Sequence, residues 1–110
     1  MVPFFSERIK AYHDHVGSQE KLGLPRPPIE YYHMFYADTA LYGNTPGLML
    51  VRSFYGVDRT VFATDAPFAG QNGERVIRDT LVAVDDMPIS DTEKKKIFVD
   101  NAIKLLRLAY

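Results

Sequence analysis

The sequence contains no cysteine among its 110 residues, which excludes disulfides, thiolate metal ligands and a cysteine nucleophile. It also lacks a marked excess of either charge. Its formal net charge of −1 gives no electrostatic reason to expect nucleic acid or an anionic membrane as a partner. No apolar run approaches the roughly 18 residues needed to cross a membrane, and the first residues lack the basic-then-apolar plan of a signal peptide. From these absences we expect a cytoplasmic protein.

The composition that remains is that of a globular domain. Hydrophobic residues make up 46% of the chain and charged residues 25%, which are ordinary values for one domain. No internal repeat and no low-complexity tract divides the sequence. We therefore treat residues 1–110 as a single domain.

The most informative stretch runs from Thr60 to Phe68. It begins as a β-branched and apolar run, which is typical of a strand buried on both faces. Pro67 cannot extend a central strand, so the strand must end close to Asp65. A carboxylate at the end of a buried strand lies where α/β proteins keep their chemistry. A residue that only initiates a turn is an equal alternative at this point.

The first segment, Phe4–Val16, has the apolar spacing of a helix, and Gly17 is suited to end it. Within this segment, His13 and His15 suggest a metal-binding pair. On a helix, however, residues two apart point about 200° away from each other around the axis. We therefore interpret both histidines as solvent-facing and expect a loop over Ser18–Pro28.

A β-strand is predicted for the aromatic run Tyr31–Ala37, which ends at Asp38. A helix then begins with Thr45 as its cap and ends at Gly56. Strand, helix and strand with short connections form a βαβ unit, so the two strands should be parallel. Their carboxyl ends then lie on one edge of the sheet, which predicts that Asp38 and Asp65 emerge at the same rim.

Two helices are predicted in the remaining chain. The first covers Glu74–Val84. The second opens with a capping box formed by Ser90 and Glu93 and runs to about Leu108. The residues expected to face a core are Ile77, Leu81 and Val84 on the first helix and Ile97, Ile103 and Leu106 on the second.

At this point the residues carry a family resemblance. The ordered segments "FYADTALYG", "DRTVFATDAPF" and "SDTEKKKIFVDNAIKLLRL" resemble the C-terminal end of amidohydrolase-related enzymes. This metal-dependent branch of the amidohydrolase superfamily includes aminocarboxymuconate-semialdehyde decarboxylase and the hydroxybenzoate decarboxylases. The resemblance covers nearly the whole chain, and its opening "MVPFFSERI" is similar to the segment after the family's sixth-strand His-x-Gly motif. The most specific matches are Thr64–Phe68 and the closing Asn101, Ala102, Leu105 and Leu106.

The resemblance implies an α/β fold, namely the C-terminal portion of a (β/α)8 TIM barrel that contains about strands 7 and 8 with flanking helices. Asp65 would be the carboxylate that binds the catalytic divalent metal ion, with zinc expected, or handles the proton of metal-bound water. Asp38 would order a loop. The implied parent enzyme is a decarboxylase (carboxy-lyase) or hydrolase that acts on a small carboxylated substrate, aromatic or dienoic.

The family's other metal and catalytic residues are histidines on the first, fifth and sixth strands, and all would lie before Met1. We therefore expect the chain alone to be inactive and not to retain the metal. Two parallel strands with apolar faces also present open edges, which predicts a homo-oligomer or a missing partner chain. The alternative function is a non-catalytic remnant that serves as an oligomerisation or interaction module.

Overall fold

The computed structural model describes residues 1–109, and the chain divides into two compact units, residues 1–35 and residue 36 onward. No helix within residues 1–109 is long and apolar enough to cross a membrane. The two units differ in what builds them. The first is helical, whereas the second contains the paired strands and a hydrophobic core.

The first unit begins with a single 3₁₀ turn, Pro3–Phe5, followed by helices α1 (Ser6–Val16), α2 (Ser18–Lys21) and α3 (Pro28–Tyr32). The helix predicted over Phe4–Val16 is confirmed, and so is its stop. Gly17 adopts a left-handed conformation with φ 63°, which is the conformation that glycine accepts most easily at a helix end.

Two predictions in this unit are wrong. The expected loop over Ser18–Pro28 contains α2, and most of the expected strand Tyr31–Ala37 is not a strand. Pro28 lies in the first turn of α3, where its fixed φ favours a helix. That start overrides the strand preference of the aromatic residues after it, because strand preference depends strongly on context. Of the predicted strand, only Ala37 belongs to one.

The second unit contains the predicted βαβ motif. Strand β1 (Ala37–Asp38) and strand β2 (Thr60–Val61) are parallel, and helix α4 (Thr45–Tyr55) connects them. A 3₁₀ turn, Val57–Arg59, leads into β2. The register pairs Ala37 with Thr60 and Asp38 with Val61. Both strands are shorter than predicted, since no further strand flanks them within the described chain.

Helix α4 is capped one residue earlier than predicted. The Oδ1 atom of Asn44 accepts a hydrogen bond from the Gly47 amide at 3.0 Å, so Asn44 is the cap. The Thr45 hydroxyl instead donates to the carbonyl oxygen of Ala83, 3.2 Å away. Gly56 ends the helix as predicted, with φ 81°.

The C-terminal part is helical. A 3₁₀ turn, Gln71–Gly73, precedes α5 (Glu74–Asp85), and a second helical run comprises α6 (Asp91–Lys95), a π-helical turn (Lys96–Asp100) and α7 (Asn101–Leu106). The capping box between Ser90 and Glu93 is confirmed. Helix α7 ends before the predicted Leu108, because Arg107 adopts a left-handed conformation.

The core of this unit lies between α4, α5 and the π-helical turn. Its buried residues are Leu48, Ala83, Val84, Met87 and Ile97. Val84 and Ile97 face it as predicted, but Ile77 and Leu81 are 39% and 44% exposed and Leu106 is exposed as well. Helix α5 carries more apolar residues than one buried stripe requires. Its buried face is offset from the predicted one and contains Val76 and Thr80 instead.

Candidate carboxylate site at the strand ends

The two aspartates predicted at one rim both follow parallel strands. Asp38 is the last residue of β1, and Asp65 lies four residues after the end of β2. Parallel strands direct their carboxyl ends to the same edge of a sheet, and this pairing is the one the βαβ pattern predicted. The two carboxylates differ in what surrounds them.

The Asp38 carboxylate is occupied by its own loop. Its Oδ1 atom accepts a hydrogen bond from the Ala40 amide at 2.9 Å. An aspartate that binds the amide two residues later forms an Asx turn, which fixes the path of the chain as it leaves the strand. This hydrogen bond agrees with the loop-ordering role implied by the resemblance.

The Asp65 carboxylate is exposed and has no hydrogen-bonding or ionic partner within residues 1–109. Its backbone, in contrast, is constrained. Asp65 is left-handed with φ 62°, and its carbonyl oxygen accepts a hydrogen bond from the Phe68 amide at 2.9 Å. The turn contains a cis Ala66–Pro67 peptide bond. Asp65 therefore does initiate a turn, and that turn leaves its side chain free.

A buried hydroxyl holds the chain just before this turn. The Thr39 side chain is 1% exposed. Its Oγ1 donates to the carbonyl oxygen of Ala63 at 2.8 Å and accepts from the Ala63 amide at 3.0 Å. The backbone pairing of β1 with β2 ends at Asp38 and Val61, so a side chain here satisfies backbone groups that a neighbouring strand would otherwise satisfy.

The π-helical turn holds the same segment through its backbone. The Asn101 amide donates to the carbonyl of Lys96, five residues back, whereas in an α-helix it would bind the carbonyl of Ile97. The Ile97 carbonyl accepts instead from the Phe62 amide at 3.0 Å. The Phe62 ring also packs against the Phe98 ring, with centroids 5.2 Å apart.

The Asn101 side chain clamps the start of β2. Its Nδ2 donates to the carbonyl oxygens of Val57 and Thr60, both at 2.7 Å, and the residue is 5% exposed. The sequence marked Asn101 only as part of a motif. Its structural role is to donate, through one buried side-chain amide, to two backbone carbonyls where the chain enters β2.

Gly73, which immediately precedes α5, contacts the turn that contains Asp65. It is left-handed with φ 85°, and a Cβ atom at this position would lie 2.7 Å from the Ala66 Cβ and 3.0 Å from the Pro67 Cα. Only glycine fits both the conformation and the contact. The N-terminus of α5 therefore packs directly against the turn that carries Asp65.

Ion pairs anchor the helical run that contains the π-helical turn. Arg52 pairs with Glu93 at 2.5 Å and Lys96 with Asp58 at 2.7 Å. The hydrogen bond from Arg52 is the main cause that lowers the pKa of Glu93, and the hydrogen bond from Lys96 likewise lowers the pKa of Asp58. Arg52 lies on α4, and Asp58 lies in the turn before β2. Their ion pairs connect both elements to the helical run whose backbone binds Phe62.

Within residues 1–109, no three histidine, cysteine, aspartate or glutamate side chains are arranged to hold a metal ion. Asp65 offers one free carboxylate, whereas protein zinc centres use three or four protein ligands. The prediction that His13 faces solvent is wrong, because the residue is partly buried. Its Nδ1 lies 2.9 Å from the Ser18 hydroxyl and its Nε2 3.5 Å from the Tyr32 hydroxyl. The described residues therefore do not form a complete metal site by themselves.

Sequence reasoning identified Asp38 and Asp65 but missed Thr39 and Gly73. Alternation along β1 places Thr39 on the same face as Ala37, so a polar residue on a face expected to be buried was the available signal. Gly73 offered no local signal beyond a loop glycine, because its contact with Ala66 depends on how α5 packs.

Comparison with known proteins adds the family. A family model described as amidohydrolase matches residues 22–108. The chain is similar to the apo form of IDCase from Metarhizium anisopliae, with 27% identity and a TM-score of 0.78 over 96% of this chain and 31% of that one. A search of curated proteins gave no match.

Two further solved structures have the same fold. One is 5-carboxyvanillate decarboxylase from Sphingomonas paucimobilis, with 20% identity and a TM-score of 0.76 over 98% of this chain and 31% of that one. The other is 2,6-dihydroxybenzoate decarboxylase complexed with 2,6-dihydroxybenzoate, with 24% identity and a TM-score of 0.70 over 97% of this chain and 32% of that one. The chain thus spans about a third of the length of these barrel structures.

Proposed function

Because the chain belongs to the amidohydrolase family, we propose that residues 1–110 are the C-terminal part of a metal-dependent (β/α)8 decarboxylase or hydrolase. In this proposal, β1 and β2 are the seventh and eighth strands of the barrel. The substrate is a small carboxylated molecule, aromatic or dienoic. Two of the similar structures are named as decarboxylases, and this supports decarboxylation over hydrolysis.

The observation that carries the proposal is the free carboxylate of Asp65 on a constrained backbone. Barrel enzymes place their chemistry on the loops that follow the strands at the carboxyl end, and Asp65 lies on such a loop. Its carboxylate has no partner within the described chain, and the turn beneath it is packed against Gly73. A free acid on a fixed support is the arrangement that ligation or proton transfer requires.

Asp65 would supply one oxygen ligand to a divalent ion, with zinc expected, or would accept a proton at a carboxylate oxygen. When bound, such an ion supplies Lewis acidity and lowers the pKa of a bound water. The remaining ligands would come from strands that this chain does not contain. The chain by itself is accordingly proposed to be inactive, and Asp38 orders its loop without touching the substrate.

The test replaces Asp65 with Asn in the barrel enzyme that contains this chain. Asn is similar in size and also tolerates the left-handed conformation, so the fold should survive while the carboxylate is lost. We expect reduced bound metal by elemental analysis and a loss of activity of about 100-fold or more. Asp38→Asn is the matched control and should retain both, since its amide oxygen can still accept from Ala40. Unchanged metal content and activity in Asp65→Asn would refute the assigned role.

A second candidate, a non-catalytic oligomerisation module, is favoured by one observation. Helix α5 leaves three neighbouring apolar side chains, Ile77, Leu81 and Val82, between 39% and 52% exposed, and exposed apolar patches mark contact surfaces or a lost neighbour. This candidate predicts a homo-oligomer of the isolated chain in light scattering. A cooperatively folded monomer would count against it.

A further inference from the structure

We propose that Thr39 is a positioning residue that sets the location of the Asp65 carboxylate through Ala63. This inference rests on the proposed function of Asp65 only for its catalytic consequence. The contact itself is independent of that function. The Thr39 hydroxyl bonds to the backbone of Ala63, two residues before Asp65, and acts on the carboxylate through that backbone.

The first step is that backbone pairing cannot hold this segment. The ladder between the strands ends at Asp38 and Val61, so Ala63 and the residues after it have no strand beside them. The position of such a segment is not fixed unless another group forms hydrogen bonds with its amide and carbonyl. The single hydroxyl of Thr39 satisfies both groups of Ala63, donating to one and accepting from the other.

The second step is that the backbone between Ala63 and Asp65 has little freedom to move. The amide of Phe62 is bound to Ile97 on one side, and the turn after Asp65 rests on Gly73 on the other. Thr64 accepts a hydrogen bond from the Ala66 amide at 3.3 Å, which folds the connection back on itself. A shift at Ala63 is therefore transmitted to Asp65 rather than absorbed by a flexible loop.

The third step is a comparison with a second buried threonine. Thr80 on α5 is 0% exposed, yet its hydroxyl has no hydrogen-bonding partner among the described residues. Burial alone therefore does not explain the two bonds of Thr39. Replacing Thr80 with Val should be neutral or stabilising, because an unsatisfied buried hydroxyl is removed. Replacing Thr39 with Val leaves two backbone groups of Ala63 without partners.

The first experiment uses the whole 110-residue chain and amide hydrogen exchange followed by NMR. In Thr39→Val, exchange at the Ala63 amide should become about tenfold faster, as expected for the loss of one net hydrogen bond, and the Asp65 carboxyl resonance should shift. Thr80→Val should change neither signal. An Ala63 amide that exchanges as slowly in Thr39→Val as in the parent chain would overturn the proposal.

Thr39→Ser keeps the hydroxyl and loses only the methyl group, so it guards against a Val variant that does not fold. The Ser variant should retain slow exchange at Ala63 and the parental Asp65 resonance. A folded Thr39→Ser chain with fast exchange at Ala63 would overturn the proposal as surely as an unaffected Thr39→Val.

The catalytic consequence is measured in the barrel enzyme that contains this chain. Thr39→Val should lower kcat by about tenfold with KM unchanged, because a displaced catalytic group lowers the rate of the chemical step. Thr39→Ser should restore kcat, and Thr80→Val should leave it at the parental value. If Asp65→Asn abolishes activity and Thr39→Val does not lower kcat, the positioning role is wrong. If Thr39→Val speeds exchange at Ala63 but Asp65→Asn leaves activity intact, the proposed function of Asp65 is wrong, whereas the role of Thr39 in holding Ala63 is retained.

Discussion

The loops that follow β1 and β2 each carry an aspartate, and they use it in opposite ways. In the first loop, the Asp38 carboxylate binds the Ala40 amide and so orders its own backbone. In the second loop, other residues order the backbone, and the Asp65 carboxylate has no partner within residues 1–109. The difference shows how a chain keeps an acid available: the support is assigned to neighbours, and the side chain is left unbonded.

The two loops also differ in the source of their support. The Asp38 carboxylate bonds within its own loop, which also contains local backbone hydrogen bonds, such as the one from the Leu41 amide to the Thr39 carbonyl. The segment from Thr60 to the Asp65 turn is held from at least three separate parts of the sequence, namely Thr39, Gly73 and the run that contains Asn101. Non-local support makes the second loop sensitive to substitutions far along the chain, and the following predictions use that sensitivity.

The largest effect on stability is expected from Asn101→Ala. The change removes the two hydrogen bonds from the buried Asn101 amide to the carbonyls of Val57 and Thr60, although the Val57 carbonyl still accepts from the Thr60 amide. The expected cost is about 2 kcal/mol in unfolding free energy. Urea denaturation followed by circular dichroism measures the cost. Asn44→Ala, which removes an exposed cap bond to Gly47, is the control and should cost about 1 kcal/mol. Equal losses in the two variants would contradict the clamp assigned to Asn101.

Gly73→Ala should cost about 2 kcal/mol, because it combines a left-handed alanine with a contact of 2.7 Å to the Ala66 Cβ. Gly17 is the matched control. It is also left-handed, with φ 63°, and the nearest atom to an added Cβ is the flexible Glu20 carboxylate at 3.4 Å, so Gly17→Ala should show only the conformational part, about 1 kcal/mol. NMR shifts at Asp65 should change in Gly73→Ala alone. Shifts of the same size in both variants would mean that Gly73 does not support the turn.

Sequence patterns predicted the elements whose signals are local. Gly17 at a helix end and Ser90 with Glu93 at a helix start act within a few residues, so they retain their meaning in the fold. The βαβ order predicted the parallel pairing because handedness and short connections leave few alternatives. The candidate site followed from it, since the shared edge of two parallel strands is a property of topology.

The failures lie where distant residues decide the outcome. The aromatic run after Pro28 becomes helix and turn rather than strand, because strand preference depends on neighbours that the local sequence does not name. The bonds of Thr39 to Ala63 span 24 residues, and the contact of Gly73 depends on the packing of α5. None of these has a periodic or capping signature, so the support of Asp65 could not be predicted although Asp65 itself could.

A smaller effect is expected when the first loop is altered. Asp38→Ala removes the hydrogen bond to the Ala40 amide, and since that bond is exposed, the expected cost is about 0.5–1 kcal/mol. Asp38→Asn retains an acceptor and should stay close to the parent chain in urea denaturation. Neither change should move the Asp65 resonances. A shift at Asp65 in Asp38→Ala would show that the two loops are coupled and would weaken the contrast between them.

The smallest effect on stability is expected from lowering the pH. Acid should weaken the ion pair between Arg52 and Glu93, which anchors the helical run that holds the second loop. The pKa of Glu93 is below its ordinary value because Arg52 and Ser90 bind its charged form, so its contribution to stability is present above the unfolded pKa, near 4.3, and lost as the pH falls through the folded pKa. Parent chain and Glu93→Gln should therefore differ in unfolding free energy at pH 7, and the difference should shrink as the pH falls below the unfolded pKa. The difference at pH 7 should shrink in 0.5 M salt, because exposed ion pairs are screened. A difference that does not shrink on acidification would assign the stabilisation to the shape of Glu93 rather than to its charge.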